Sequence, residues 1–352
     1  MGTEIGPSRG VYPERSEELA FSIPVAVELG LVLYRIQGNN LFEIVFLGTS
    51  ASAPSVHRGL TSQIVLRGEH RFLIDAGEGT QRQILSSGLG FKRLDRILIT
   101  HGHLDHILGL GGLISTFVRW EAMDKILIVG GKSALGRIKD LLFGVVLKGK
   151  YPPVEITLKA LEPGVVFDEG DFKVSTFPVY HRTPDCYGFV FEERARRPFL
   201  PEKAEVLKIP PGPWRGELVN GQVVTLPDGR MIQPDMVLGE ELPGTKLVHV
   251  GDAGRTDNLL EVVKGADALV IEATYLEGEK DLALEFGHLT ARQAAQLALD
   301  GGVGTLILTH ISRRYRAEQV LEEAREVFPQ VFVARDFDRF QIKRGKVEKV
   351  KT

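Results

Sequence analysis

The chain is poor in what would place it outside the cell or in a membrane. Its 352 residues include one cysteine, Cys186, so no internal disulfide can form, and a lone thiol fits a reducing compartment. The first residues lack the basic stretch, apolar run and small-residue cleavage site of a secretory signal. The most apolar early stretch, residues 23–33, is interrupted by Pro24, Glu28 and Gly30 and is too short to span a bilayer. A cytoplasmic protein with no membrane partner is expected. An excess of one charge is also missing, since 43 Lys and Arg against 46 Asp and Glu give a formal net charge of -3. A polycation that coats nucleic acid is thereby excluded, and any nucleic-acid contact must rest on local patches. At 43% hydrophobic and 25% charged, the composition excludes disorder, collagen and disulfide scaffolds and leaves a globular fold with a substantial core.

What is present, from Leu41 onward, is a succession of short β-branched or apolar runs closed by Gly, Asp or His. The pattern predicts strands at 43–47, 62–66, 72–75, 96–100, 126–129, 154–158, 172–178, 187–191, 247–250, 268–272, 305–308 and 331–334. Helices are predicted at 81–87, 107–118, 133–143, 257–263, 291–299 and 317–327. Strands separated by helices imply an α/β fold with two sheets covered by helices, an αββα sandwich. Residues 192–246 break the pattern with repeated Pro and Gly and one short helix at 202–208. So long an irregular insertion in a compact domain is usually functional or mobile. Residues 1–40 stand apart as an N-terminal extension, either an added edge strand at 25–34 or a disordered segment.

The strongest local signal is His101-Gly102-His103-Leu104-Asp105-His106, on a loop between the strand at 96–100 and the helix at 107–118. Three imidazoles and a carboxylate in one turn supply the nitrogen and oxygen donors that zinc favours. Solvated loop histidines are the plainer reading, but that reading must gather three of the nine histidines in one turn by chance. His181, Asp252 and His310 each follow a predicted strand, which sets them on the same rim. The set is too large for one tetrahedral ion and suits two that share a carboxylate. The expected division is His101, His103 and His181 on the first ion, Asp105, His106 and His310 on the second, and Asp252 between them. Two Zn²⁺ per subunit are expected, with Mn²⁺ tolerated. The residual positive charge suits an anionic substrate such as a phosphodiester. Asp75, ending another strand, is expected to orient a ligand imidazole. His57 and His70 read as surface residues. Arg313, Arg314 and Arg316 after His310, and Arg194, Arg196 and Arg197 at the start of the insertion, read as ordinary solvated faces unless they lie beside a phosphodiester site, where they become candidate contacts to its backbone.

The cluster with its later His, Asp and His resembles the metallo-β-lactamase superfamily. Longer stretches narrow the resemblance: Gly48-Thr49-Ser50-Ala51-Ser52-Ala53-Pro54, the run from Asp75 to Gln83, Ile209-Pro210-Pro211-Gly212-Pro213, Val224-Thr225-Leu226 with Asp228-Gly229-Arg230, and Glu272-Ala273-Thr274 followed by Gly287-His288-Leu289-Thr290. In this order, from about Leu41 to about Phe340, they are similar to the ribonuclease Z family of transfer-RNA 3′-processing endonucleases. The resemblance implies that residues 41–352 form a metallo-β-lactamase-like catalytic domain with a protruding flexible arm at 192–246. It implies that the arm, with Pro211, Gly212 and Pro213, grips precursor tRNA, usually from the neighbouring subunit of a homodimer. It also implies that Asp105 both binds metal and takes a proton from the attacking water, and that His288, supported by Glu272, protonates the leaving oxygen. The reaction implied is removal of the 3′ trailer from precursor tRNA, leaving a 3′ hydroxyl. Two positions depart from the family: Ile271 precedes Glu-Ala-Thr where a histidine is usual, and Leu289 stands in the Gly-His-Ser-Thr-like stretch.

Overall fold

The computed structural model describes residues 41–120, 123–149 and 152–350. The extension read at residues 1–40 lies outside them. One sheet is built from β1 (Phe42–Gly48), β2 (Ser62–Arg67), β3 (His70–Ile74), β4 (Arg96–Leu98), β5 (Lys125–Gly130) and β6 (Glu155–Ala160). A second sheet takes β7 (Gly164–Asp168), β8 (Phe172–Val179), β9 (Cys186–Glu193), β12 (Lys246–His249), β13 (Ala268–Glu272), β14 (Thr305–Thr309) and β15 (Val331–Val333). The chain then returns to the first sheet through β16 (Arg339–Lys343) and β17 (Lys346–Val350), giving the order β17-β16-β1-β2-β3-β4-β5-β6.

Period-two alternation explains the layers. In β1, Ile44 and Phe46 point into the core between the sheets, while Val45 and Leu47 point to the first sheet's helical side. In β13, Ala268 and Val270 face between the sheets and Leu269 and Ile271 face the second helical layer. The strands are therefore apolar on both faces, as sheets covered on both sides must be. Helices Leu110–Trp120 and Lys132–Lys139 cover the first sheet with Leu113, Ile114, Phe117 and Ile138. Helices Ala291–Asp300 and Ala317–Arg325 cover the second with Ala294, Ala295, Ala298 and Val320. This is the expected αββα sandwich. No helix among the described residues is long and apolar enough to cross a membrane.

Several expectations are corrected. The helix predicted at 107–118 is two helices, Leu104–Ile107 and Leu110–Trp120. Gly109 lies at the break, where its N–H donates to Ala76 O at 2.8 Å and an added Cβ would fall 2.0 Å from Gly77 O. Asp105 and His106 thus sit on a helical turn rather than a loop. β7, β16 and β17 were not predicted; β16 pairs antiparallel with β1 and extends the first sheet. His70 is not a free surface group: it is half-buried, with Nδ1 3.3 Å from Glu169 and its ring edge-on to Phe172.

The insertion is the largest correction. It leaves β9 and re-enters at β12, strands that pair antiparallel with Glu192 opposite Lys246. Between them are helices Pro201–Val206 and Pro213–Val219 and a small hairpin of β10 (Val224–Thr225) and β11 (Met231–Ile232). Two of the prolines that made the stretch read as irregular occupy helix starts, where a missing N–H costs nothing. Ala204, Ile209, Leu218, Val224, Ile232 and Val237 bury one another in a separate apolar cluster.

Candidate metal centre

Parallel pairing of β12 with β13 and of β13 with β14 aligns their carboxyl ends, and β3 and β4 are aligned likewise. The residues that follow those ends share one rim. His101 Nε2 lies 2.9 Å from His103 Nδ1, which lies 3.2 Å from His181 Nε2; Asp252 Oδ2 is 3.7 Å from His101 Nε2. Beside them His106 Nε2 and His310 Nε2 stand 3.3 Å apart, and Asp252 Oδ2 is 3.4 Å from the first and 3.3 Å from the second. Asp105 Oδ2 is 3.4 Å from His310 Nε2 and is held by the Ser52 N–H at 2.8 Å. Donor atoms of His101, His103, His181 and Asp252 all lie within 4.8 Å of one another, as do those of Asp105, His106 and His310. The residues grouped in the sequence are thus brought together, and Asp252, His288 and His310 form a further group within the same distance.

The outer nitrogens of the rings are occupied, which fixes the inner ones. His106 Nδ1 meets Asp75 Oδ2 at 2.8 Å, and Asp75 is anchored by the Thr100 N–H and hydroxyl. His181 Nδ1–H donates to Gly287 O at 2.6 Å. His310 Nδ1 is 2.9 Å from the Thr274 hydroxyl, which itself donates to Glu272. Each of these imidazoles is therefore oriented with Nε2 toward the centre.

The residues fit divalent cations. Two Nε2 atoms facing each other between two carboxylates require positive charge between them, and Asp252 Oδ1 is buried with no hydrogen-bond partner among the described residues. Burial, aided by His106, pushes the His101 imidazole well below its ordinary pKa; burial also lowers His181, and His103 to about 4. Those rings are neutral donors. For His106 burial acts the same way, but Asp252 and Asp75 outweigh it and hold the ring well above the histidine range. Burial opposes ionisation of Asp105 and Asp252 too, yet the facing imidazoles His310 and His106 hold both carboxyls low.

At the mouth, His288 Nδ1 meets Glu272 Oε1 at 2.9 Å. Glu272 is wholly buried and also accepts from the Ala253 N–H at 2.8 Å. Burial opposes charge on His288, but Glu272 and then Asp252 raise its pKa to about 9. The result is an imidazolium at neutral pH, pinned through Nδ1, its ring centroid 5.0 Å from that of His181 and 5.4 Å from that of His310.

The candidate RNA contacts lie apart from this cluster. Arg313 and Arg314 are exposed after His310, with Arg314 bonded to Glu279 at 3.1 Å. Pro211, Gly212 and Pro213 are exposed at the start of the second helix of the insertion. Arg194 and Arg197 already pair with Asp168 and Asp235. A groove of about 860 Å³ at the insertion's root, lined in part by Arg196, Arg197 and Phe199, shares no residue with the histidine cluster. Sequence reasoning missed Thr100, Thr274, the Ser52 N–H and the Gly287 carbonyl as orienting groups. Thr100 was signalled by its place just before His101, and Thr274 by its place in Glu-Ala-Thr. It also missed His249, buried with Nε2 3.2 Å from Gln63 and pushed by burial to a pKa of about 4.

Residues 42–197 match the family model described as anti-Pycsar protein Apyc1, and residues 231–311 match the beta-lactamase superfamily domain. The chain is 48% identical over 302 residues to a ribonuclease Z of Bradyrhizobium sp. strain ORS 278, covering 86% of this chain and 100% of that one. A ribonuclease Z of Archaeoglobus fulgidus is 40% identical over 307 residues, with 86% of this chain and 98% of that one covered. Among solved structures, human tRNase Z, short form, superposes with a TM-score of 0.60 at 25% identity, covering 84% of this chain and 98% of that one. A metallo-beta-lactamase fold protein of Bacillus subtilis superposes at 0.61 with 17% identity over 88% of this chain and 100% of that one, a likeness of fold alone.

Proposed function

Because the chain belongs to the ribonuclease Z family, an endoribonuclease family of the metallo-β-lactamase superfamily, we propose that it removes the 3′ trailer from precursor tRNA in the cytoplasm by zinc-dependent hydrolysis, leaving a 3′ hydroxyl. The observation that carries this reading is the meeting of a His and Asp donor set that could hold metal with His288, which Glu272 pins through Nδ1. Phosphodiester hydrolysis at an alkoxide leaving group is helped by both parts, a metal-activated water and a general acid for the departing oxygen.

His101, His103 and His181 would hold one cation, Asp105, His106 and His310 the other, with Asp252 shared. Bound there, the cations would supply Lewis acidity and a water of lowered pKa. Asp105, fixed by the Ser52 N–H, is the carboxylate placed to take the proton from the attacking water. His288 gives its Nε2 proton to the departing 3′ oxygen, and Glu272 keeps it charged until then. A well-placed general acid is worth about 10² to 10⁴ in rate. The arm at residues 192–246 and the exposed Arg313 and Arg314 would position the tRNA; a homodimer would present each arm to its partner's site.

The test is incubation with a 3′-extended precursor tRNA, with and without chelator, mapping the cut. Cleavage directly after the discriminator nucleotide, lost with chelator and restored by Zn²⁺, is expected. Cleavage elsewhere, or full activity in chelator, would overturn the reading, and a precursor left uncut would favour a phosphodiesterase acting on small substrates.

A further inference from the structure

Three loops meet on the His181 side of the centre, and the contacts between them are close. The Gly254 N–H donates to Tyr180 O at 2.6 Å, and His181 bonds the Gly287 carbonyl at 2.6 Å. A Cβ on Gly254 would fall 3.2 Å from Gly287 Cα, and one on Gly287 would fall 2.7 Å from Arg182 Cγ. Each loop sends one residue inward, His181, Asp252 or His288. Each also sends a ring or a cation outward.

The outward residues form matched pairs. Tyr180 is 55% exposed, with the Arg255 guanidinium 4.3 Å from its ring centroid. Phe286 is 40% exposed, with the Arg182 guanidinium 5.6 Å from its centroid. Asp257 grips Arg255 through two nitrogens and fixes its plane. Arg182 has no carboxylate partner among the described residues, so its charge is free for an anion. Two half-exposed rings under two guanidiniums, beside a site for phosphodiesters, have the chemistry of an unpaired nucleotide's binding place: a π-face for the base and a cation for its phosphate.

We infer that Tyr180, Arg182, Arg255 and Phe286 form a stacking platform for the unpaired base on the 5′ side of the cut. The inference rests on the proposed endonuclease reading and adds the nucleotide concerned. The 5′ side follows from position. The oxygen that leaves belongs to that nucleotide and must reach His288; Phe286 is two residues from His288, and Tyr180 adjoins His181, whose ring is 5.0 Å away. Because every base has a π-face, the platform accepts any base and penalises its absence.

The experiment compares kcat/KM for precursor tRNA carrying either an ordinary or an abasic nucleotide directly 5′ of the cut. Base removal is expected to slow the unaltered protein about 10- to 100-fold. Tyr180→Ala should slow cleavage of the ordinary substrate by a similar factor and barely distinguish the two substrates, while Tyr180→Trp restores the distinction. Phe286→Ala, farther along the chain from a metal ligand, serves as a second variant with the same expected overlap. Losses that multiply in both variants, equal cleavage of both substrates by the unaltered protein, or no restoration by tryptophan would overturn the platform. If the unaltered protein leaves the ordinary precursor uncut, the endonuclease reading fails and takes the platform with it; cleavage without dependence on the base removes the platform alone.

Discussion

Asp75 touches the centre only through His106, yet it holds that ring's Nδ1 at 2.8 Å. Asp75→Ala should weaken metal binding about 10- to 100-fold, measured by chelator competition, since such partners orient the ligand and raise its basicity. His288 gives a pH prediction whose sign follows from its raised pKa of about 9. The proton donor is present below that value, so cleavage should fall as pH rises through it. Glu272→Gln removes the anion that raises the ring, so the alkaline limb of the rate profile should move toward the ordinary histidine value of about 6.5. A limb that stays in place would assign it to another group. At this scale the candidate ligands were legible because each follows an apolar strand run. The backbone that aims them was not: Asp75 and His310 adopt φ of 56° and 55°, a left-handed conformation imposed by the surrounding fold and unmarked in the sequence.

At the scale of elements, strands buried on both faces announced themselves as apolar runs, and β1, β2, β13 and β14 lie within a residue or two of their predicted bounds. β16 and β17 escaped because their charged residues, such as Arg339, Lys343, Lys346 and Lys349, hide the alternation that buries Phe340 and Ile342. The insertion escaped for a different reason. Its apolar residues are spread over many turns, and only the tertiary cluster around Leu218 collects them. Leu218→Ala should cost that cluster about 2–5 kcal/mol. Since the cluster is separate from the three cores of the sandwich, amide exchange should quicken across residues 201–238 and leave β13 and β14 protected. Exchange that quickens equally in β13 would show the insertion to be part of one cooperative unit.

At the scale of the whole molecule, the centre draws on both sheets: His101, His103, Asp105 and His106 follow β4 of the first, and His181, Asp252 and His310 follow strands of the second. Cations bound there would tie the two sheets together, so chelation should lower the melting temperature and Zn²⁺ should restore it. At free metal 100 times its Kd the stabilisation is about 2.7 kcal/mol. An unchanged melting temperature would mean that the imidazoles hold no ion in the folded state.

The donors are scattered along the polypeptide, from His101 to His310, and β1 acquires its β16 neighbour only after Arg339. On a ribosome, where chains grow from the amino end and domains fold as units, the growing product carries an unfinished donor set until His310 has been made. A blade for RNA is thus assembled unarmed, and becomes dangerous only once its most distant donors have both emerged.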